Sequence, residues 1–306
     1  MAGDAKPRNE DAIGGGLIVL ASLMFGIVVV LGRIVTDGPK GMPVPMMLSI
    51  RFGGAAVLLF LLLVALRRPP VPARGERLGL AALAVAGYAV ESSLFFLAVQ
   101  HGETAAVTLL FFTYPIVVTV GAMALGQGAP GRVVMLSLAS AIAGSALVIL
   151  AGGGLAIEGL GVAFALGAAC VYSCYLLGVD RVVRMTEPLA GAMWVSLFAS
   201  LGLVAYAAIS GNLQAPDGIR QWAPLAGMGA ATAAAFVCLF AGLRRLGPVR
   251  TAVVAATEPL AATVLAFLFL GQPVRPGVVA GGVLILSGAI AASLARTAPA
   301  AEPEVP

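Results

Sequence analysis

An all-α polytopic membrane protein, with ten transmembrane helices as two five-helix inverted repeats and both termini cytoplasmic, is what this sequence predicts. The expectation rests on composition, on ten apolar runs of spanning length, and on a proline-marked pattern that recurs 144 residues apart. Sixty per cent of the 306 residues are apolar, 10% are charged, and the mean hydropathy is +1.03. A soluble domain carries about a quarter charged residues, so this chain cannot cover a water-facing surface and takes lipid as its solvent. The net charge of +4 calls for no nucleic-acid partner, because the basic residues are accounted for by topology.

The runs lie at 14–35, 44–66, 77–99, 104–125, 132–150, 157–179, 189–209, 222–243, 248–270 and 276–295. Each is close to the roughly 20 residues that a helix needs to cross the hydrocarbon core. What remains is short connections, with no room for a soluble domain. Residues 1–13 mix Asp4, Lys6, Arg8, Glu10 and Asp11 ahead of a run too long for a signal-peptide core, and read as a cytoplasmic tail. Residues 297–306, rich in Ala, Pro and Glu, read as a disordered one. With the N-terminus inside, the cytoplasmic segments hold Lys6, Arg8, Arg67, Arg68, Arg74, Arg77, Arg132, Arg181, Arg184, Arg244, Arg245, Arg250 and Arg296. The other side holds Lys40, Arg220 and Arg275, and thirteen against three sets the orientation.

Thr113 and Pro115 recur at an offset of 144 as Thr257 and Pro259, and Gly144 as Gly288; with one residue of slip, Gly126-Gln127 recur as Gly271-Gln272. The repeats are therefore 14–150 and 151–296, five spans each. An odd number sends the second copy into the membrane from the opposite side, which gives the inverted-repeat plan of many secondary transporters. Ser140…Gly144 and Gly277…Gly281 are small-xxx-small faces, expected to pack within one molecule, so a monomer is the expected state and a dimer the alternative.

Polar groups at membrane depth must face a partner or a watery cavity. Tyr88, Glu91, Ser92 and Phe95 share one helical face by their spacing, and Thr108, Phe111, Phe112 and Pro115 repeat that spacing. Thr251, Glu258 and Leu265 lie along the ninth span; Tyr172, Ser173 and Tyr175 lie in the sixth. The candidate substrate-binding residues are Tyr88, Glu91, Ser92, Thr108, Phe111, Phe112, Tyr175 and Glu258. Pro115 and Pro259 are the candidate helix interruptions, since proline lacks the donor for the carbonyl four residues back, here Phe111 and Ala255. Such a lining suits a small zwitterion, with a carboxylate for the ammonium, hydroxyl or freed backbone groups for the carboxylate, and aromatic walls for an apolar side chain. Structural readings stand beside this: Glu91 and Glu258 as carboxyls paired with Arg33 or Arg51, and Arg51, about 10 Å from its span end, as a snorkelling cation. Cys170, Cys174 and Cys238 read as small buried side chains, and no metal or cofactor is expected. His101, in the connection before the fourth span, is badly placed for a proton relay. An embedded enzyme would need paired Asp or a base beside Ser92 or Ser173, and the spans offer neither.

Arg51-Phe52, the mid-span Pro115, Glu258-Pro259 and the endings Leu125-Gly126-Gln127 and Leu270-Gly271-Gln272, set in ten spans, resemble the drug/metabolite transporter superfamily and its EamA-type exporters. Members commonly carry Gly-Glu where this chain has Gly-Gln. The aromatic interior is most similar to the bacterial aromatic amino-acid exporter branch. That resemblance implies an inner-membrane exporter of amino acids or related small metabolites, or alternatively of drugs and organic cations. It also implies a central cavity walled by spans three, four, eight and nine and completed by one and six. Small-molecule substrate and membrane lipid are then the expected partners. Proton coupling and facilitated diffusion both remain open.

Overall fold

Helix accounts for almost all of the computed structural model, which describes residues 8–36, 41–102, 104–152, 157–270 and 276–295. In chain order the helices are α1 (Arg8–Thr36), α2 (Val44–Ala65), α3 (Arg77–Gln100), α4a (Thr104–Phe111), α4b (Tyr114–Ala124), α5 (Arg132–Gly152), α6 (Gly159–Val182), α7 (Pro188–Ile209), α8 (Gly218–Leu246), α9a (Pro248–Ala255), α9b (Glu258–Leu270) and α10 (Pro276–Leu294). Nine helical runs among the described residues are long and apolar enough to cross a membrane unaided. The run at 248–270, expected as one span, is instead divided between α9a and α9b, neither of spanning length alone.

Three expectations are corrected. Helix α1 begins at Arg8, not at 14, because acids assigned to a tail are satisfied inside the fold: Glu10 meets Arg245 at 3.0 Å and Asp11 meets Arg250 at 3.2 Å. Arg250 is itself buried and donates to the carbonyls of Ala292 and Ser293, so it is more than a topology marker. Cys238 is buried, but Cys170 and Cys174 stand exposed on α6. The tails at 1–7 and 297–306, Lys40, the pair Gly271-Gln272, Arg275 and the Arg33 side chain lie outside the described residues.

The repeat is legible in the helix boundaries. Helices α7, α9a, α9b and α10 begin at residues 188, 248, 258 and 276; subtracting 144 gives 44, 104, 114 and 132, the first residues of α2, α4a, α4b and α5. Packing is reciprocal as well. Helix α1 lies on α8 as α6 lies on α3, α2 packs on α8 as α7 packs on α3, and α2/α7 and α5/α10 each pair with their own counterpart. At the α5/α10 contact the backbones nearly touch. A Cβ added at Gly144 would lie 2.6 Å from the Gly281 carbonyl oxygen, and one at Gly281 would lie 2.5 Å from that of Gly144. The Ser140 hydroxyl donates to the Leu284 carbonyl at 2.8 Å across the same seam, so both small-residue faces pack within the molecule.

Both broken helices yield at the residues just ahead of their prolines. At the first break the Thr113 N–H bonds Leu110 at 3.2 Å; at the second, the N–H groups of Ala256 and Thr257 bond Val253 and Val254 at 3.3 and 3.1 Å. These are i−3 bonds, the tightened turn that forms when proline withholds the i−4 donor. Side-chain hydroxyls reach the loosened backbone: Ser22 donates to the Ala255 carbonyl at 3.4 Å and Ser145 to that of Ala256 at 3.5 Å. Backbone polar groups in lipid require such partners.

Candidate functional site

The α9 break carries Glu258 to the wall of a cavity enclosed by six helices. Phe25, Val28 and Val29 come from α1, Arg51 from α2, Tyr88, Glu91, Ser92, Phe95 and Phe96 from α3, Phe111 from α4a, Tyr172 from α6 and Glu258 from α9b. Its volume is about 70 Å³. That holds a couple of waters at ~30 Å³ each, well below the ~300–1,000 Å³ of sites that enclose a metabolite.

Helix α3 contributes most because of a local irregularity. From Leu83 to Ala89 it widens to π-helical bonding before returning to α-helix at Val90. Widened turns are frequent at functional sites, and this one ends beside Tyr88, the first residue of the face that continues through Glu91, Ser92 and Phe95. Ser92 Oγ donates to Glu91 Oε2 at 3.0 Å. Behind the lining stands a continuous aromatic wall. The Tyr88 ring lies edge-on to Phe236 at 4.7 Å, Tyr175 at 5.1 Å and Phe52 at 5.5 Å, and Tyr172 lies edge-on to Tyr114 at 4.9 Å. These arrangements are favourable for ring quadrupoles and hold the wall stiff.

Of the candidates from sequence, Tyr88, Glu91, Ser92, Phe111 and Glu258 converge on the cavity. Phe112 and Tyr175 are buried beside it in the aromatic wall, and Thr108 lies half-buried a turn earlier on α4a. The Tyr175 hydroxyl is buried without a hydrogen-bond partner, as are those of Thr251 and Thr257. Pro115 and Pro259 are the second residues of α4b and α9b, next to the breaks. Tyr114, the counterpart of Glu258 in the first repeat, is buried and bonds the Ala252 carbonyl at 3.4 Å, so the site is asymmetric.

Arg51 departs from expectation. Its side chain does not snorkel to the membrane surface but is buried, 4% exposed, on the cavity wall. Arg51 Nε donates to Thr232 Oγ1 at 2.8 Å, and its guanidinium carbon lies 4.6 Å from the centre of the Phe52 ring. An arginine inside an apolar run is a visible signal, but which way it turns depends on Thr232 of α8, which is 181 residues away in sequence. The implied walls shift accordingly: α2 lines the cavity, and α8 supports it from behind through Thr232 and Phe236. His101 is peripheral, with Nδ1 3.1 Å from Glu158 at the start of α6. No cluster of potential metal ligands occurs among the described residues.

The fold is shared with solved proteins. Twenty-nine chains of known structure match. One crystal structure superimposes with a TM-score of 0.76 over 93% of this chain and 98% of its own, at 17% identity, which concerns the fold alone. No curated protein sequence matches the chain. The model of the EamA-like transporter family matches twice, over residues 12–150 and 159–294, once in each half. A double match over most of the chain, on two reciprocally packed repeats around an embedded polar cavity, identifies the protein as a member of the EamA-like transporter family, whose members are membrane transporters of small molecules.

Proposed function

We propose that the protein is a secondary transporter that exports amino acids, aromatic or otherwise apolar, and related small metabolites across the bacterial inner membrane by alternating access. Ten crossings, in two inverted five-helix repeats with both termini cytoplasmic, form the moving parts. The observation that carries this reading is the convergence of two carboxylates, Glu91 and Glu258, on an aromatic-walled cavity at a broken helix. A carboxylate receives the substrate ammonium, rings such as Phe95, Phe96 and Phe111 receive an apolar side chain, and broken helices supply the polar groups at mid-membrane that transporters of this plan use. At about 70 Å³ the cavity is contracted, so substrate binding requires the repeats to move apart.

A second reading, export of organic cations or drugs, draws on the same cavity, because its two carboxyl side chains and aromatic rings suit a cation that brings no carboxylate of its own. Transport by the purified protein in proteoliposomes separates the two. Amino-acid efflux that zwitterions inhibit and amphiphilic cations do not is the expected result; the reverse pattern assigns the site to cations. Glu258→Gln is expected to lower amino-acid flux by about two orders of magnitude, the loss that follows when a polar partner in a closed site is left unmatched. Unchanged flux of every amino acid tried removes Glu258 from the mechanism.

A further inference from the structure

Glu91 and Glu258 suit the ammonium of a zwitterion, and one further group on the cavity wall, beyond the hydroxyl and backbone groups, has the chemistry for its carboxylate. Arg51 is buried, and its guanidinium is oriented from two sides. Its Nε–H bonds Thr232 on α8, a residue with no exposed surface, while its plane rests against Phe52. With Nε engaged by Thr232, Nη1 and Nη2 at the end of the fork are the donors left to Arg51, which lines the cavity beside Tyr88. That end is the one that accepts a carboxylate with two parallel N–H···O bonds.

A purely structural arginine would be expected in contact with an acid. The oppositely charged pairs within 4 Å among the described residues lie elsewhere, at Arg68–Glu187, His101–Glu158, Arg245–Glu10 and Arg250–Asp11. Arg51 thus shares a cavity with Glu91 and Glu258 without contacting either. Holding an arginine apart from acids inside lipid is costly, and the cost is recovered when a ligand brings the missing partner. We propose that Arg51 anchors the carboxylate of the substrate across the cavity from the acids that take its ammonium, so that the site selects intact α-amino acids over their decarboxylated amines. This rests on the amino-acid reading and sharpens it. A zwitterion fills both ends of such a site without changing its net charge, whereas an amine adds a positive charge and leaves the guanidinium fork without a carboxylate bonded to it.

The test compares phenylalanine with phenethylamine, which differ by the carboxylate, in proteoliposomes of the full-length protein. Wild type is expected to favour phenylalanine. Arg51→Gln is expected to lower phenylalanine flux relative to phenethylamine flux by about 10²-fold or more, as when a buried hydrogen-bonding group loses its match, and Arg51→Lys restores only part because it lacks the planar fork. Thr232→Val, which retains the arginine and loosens its orientation, raises KM for phenylalanine and leaves KM for phenethylamine in place; it carries the test should Arg51→Gln fail to fold. Equal loss of both fluxes in Arg51→Gln, or equal changes of both KM values in Thr232→Val, overturns the anchor and leaves the arginine a structural role. Wild-type vesicles that carry phenethylamine but no amino acid overturn the anchor together with the function it rests on, whereas wild-type amino-acid transport with unaltered selectivity in the variants overturns the anchor alone.

Discussion

The carboxylate of Glu76, just ahead of α3, accepts the backbone N–H groups of Arg184, Met185 and Thr186 and the Thr186 hydroxyl, tying the first half of the chain to the connection between α6 and α7. Burial by itself would push its pKa up, but these four hydrogen bonds outweigh burial and hold it below the usual carboxylate value. A folded pKa below the unfolded one gives stabilisation that is complete above the unfolded value and is lost as pH falls through the folded one. Acidification is therefore expected to lower the thermal midpoint of the detergent-solubilised protein. Glu76→Gln is expected to flatten that acid limb and to cost about 1–3 kcal/mol near neutral pH, because an amide nitrogen then faces N–H donors. A variant with the wild-type midpoint at both pH values removes Glu76 as a clamp. Sequence alone cannot pick out this residue, since a glutamate in an Arg-rich loop resembles any solvated charge. Glu258 is different: a carboxylate beside a proline in an apolar run breaks two rules at once and is legible without a structure, whereas Arg51 breaks one and needed its partner on α8 to be read correctly.

At the scale of the helices, the prolines were the most informative residues in the sequence. Pro115 and Pro259 mark the breaks to within a few residues, because a missing donor has a fixed local consequence. The widened turn of α3 was not legible, as Leu83–Ala89 contains no proline and its single Gly87 is one of many glycines in the spans; the segment packs on α6 and α7. The glycine faces of α5 and α10 were legible as close contacts, though only the structure supplies their partner. Gly281 tests that contact. A side chain there meets the Gly144 carbonyl, which is backbone of a neighbouring helix and cannot rotate away. Gly281→Val is expected to destabilise the protein by about 1–3 kcal/mol or more, in the range of overpacked cores, measured by thermal unfolding in detergent. Gly16→Ala on α1, where nothing lies within 4 Å, serves as the control and is expected to be neutral or to stabilise by up to about 1 kcal/mol. Equal midpoints for the two variants would remove the α5/α10 seam as a close-packed contact.

Across the whole molecule, the two repeats hold α3 of one half against α6 of the other along the length of both helices. A Cβ at Gly79 would lie 3.6 Å from that of Val182, and one at Gly87 would lie 3.1 Å from the Tyr175 ring. Beyond Tyr88 the same helices stay packed: a Cβ at Gly167 would lie 3.6 Å from the Leu94 side chain, and at the far end the Glu158 N–H bonds the His101 carbonyl at 2.9 Å. The reciprocal seam, α8 against α1, likewise joins the two repeats, so a two-state cycle has a physical basis: opening one seam while closing its counterpart exchanges the accessible side without reshaping either half. In the proposed orientation the Gly79–Val182 end faces the cytoplasm, and export requires it to open. A Cβ separation of 3.6 Å suits a disulfide. Gly79→Cys with Val182→Cys, in a background where Cys170, Cys174 and Cys238 are replaced by serine or alanine, is therefore expected to cross-link under mild oxidation. Oxidised protein in proteoliposomes should cease transport, and reduction should restore it. Each single-cysteine variant should be insensitive to oxidant. Full transport by protein that is shown to be cross-linked would mean that α3 and α6 stay together at this end throughout the cycle, and that access alternates along a different seam.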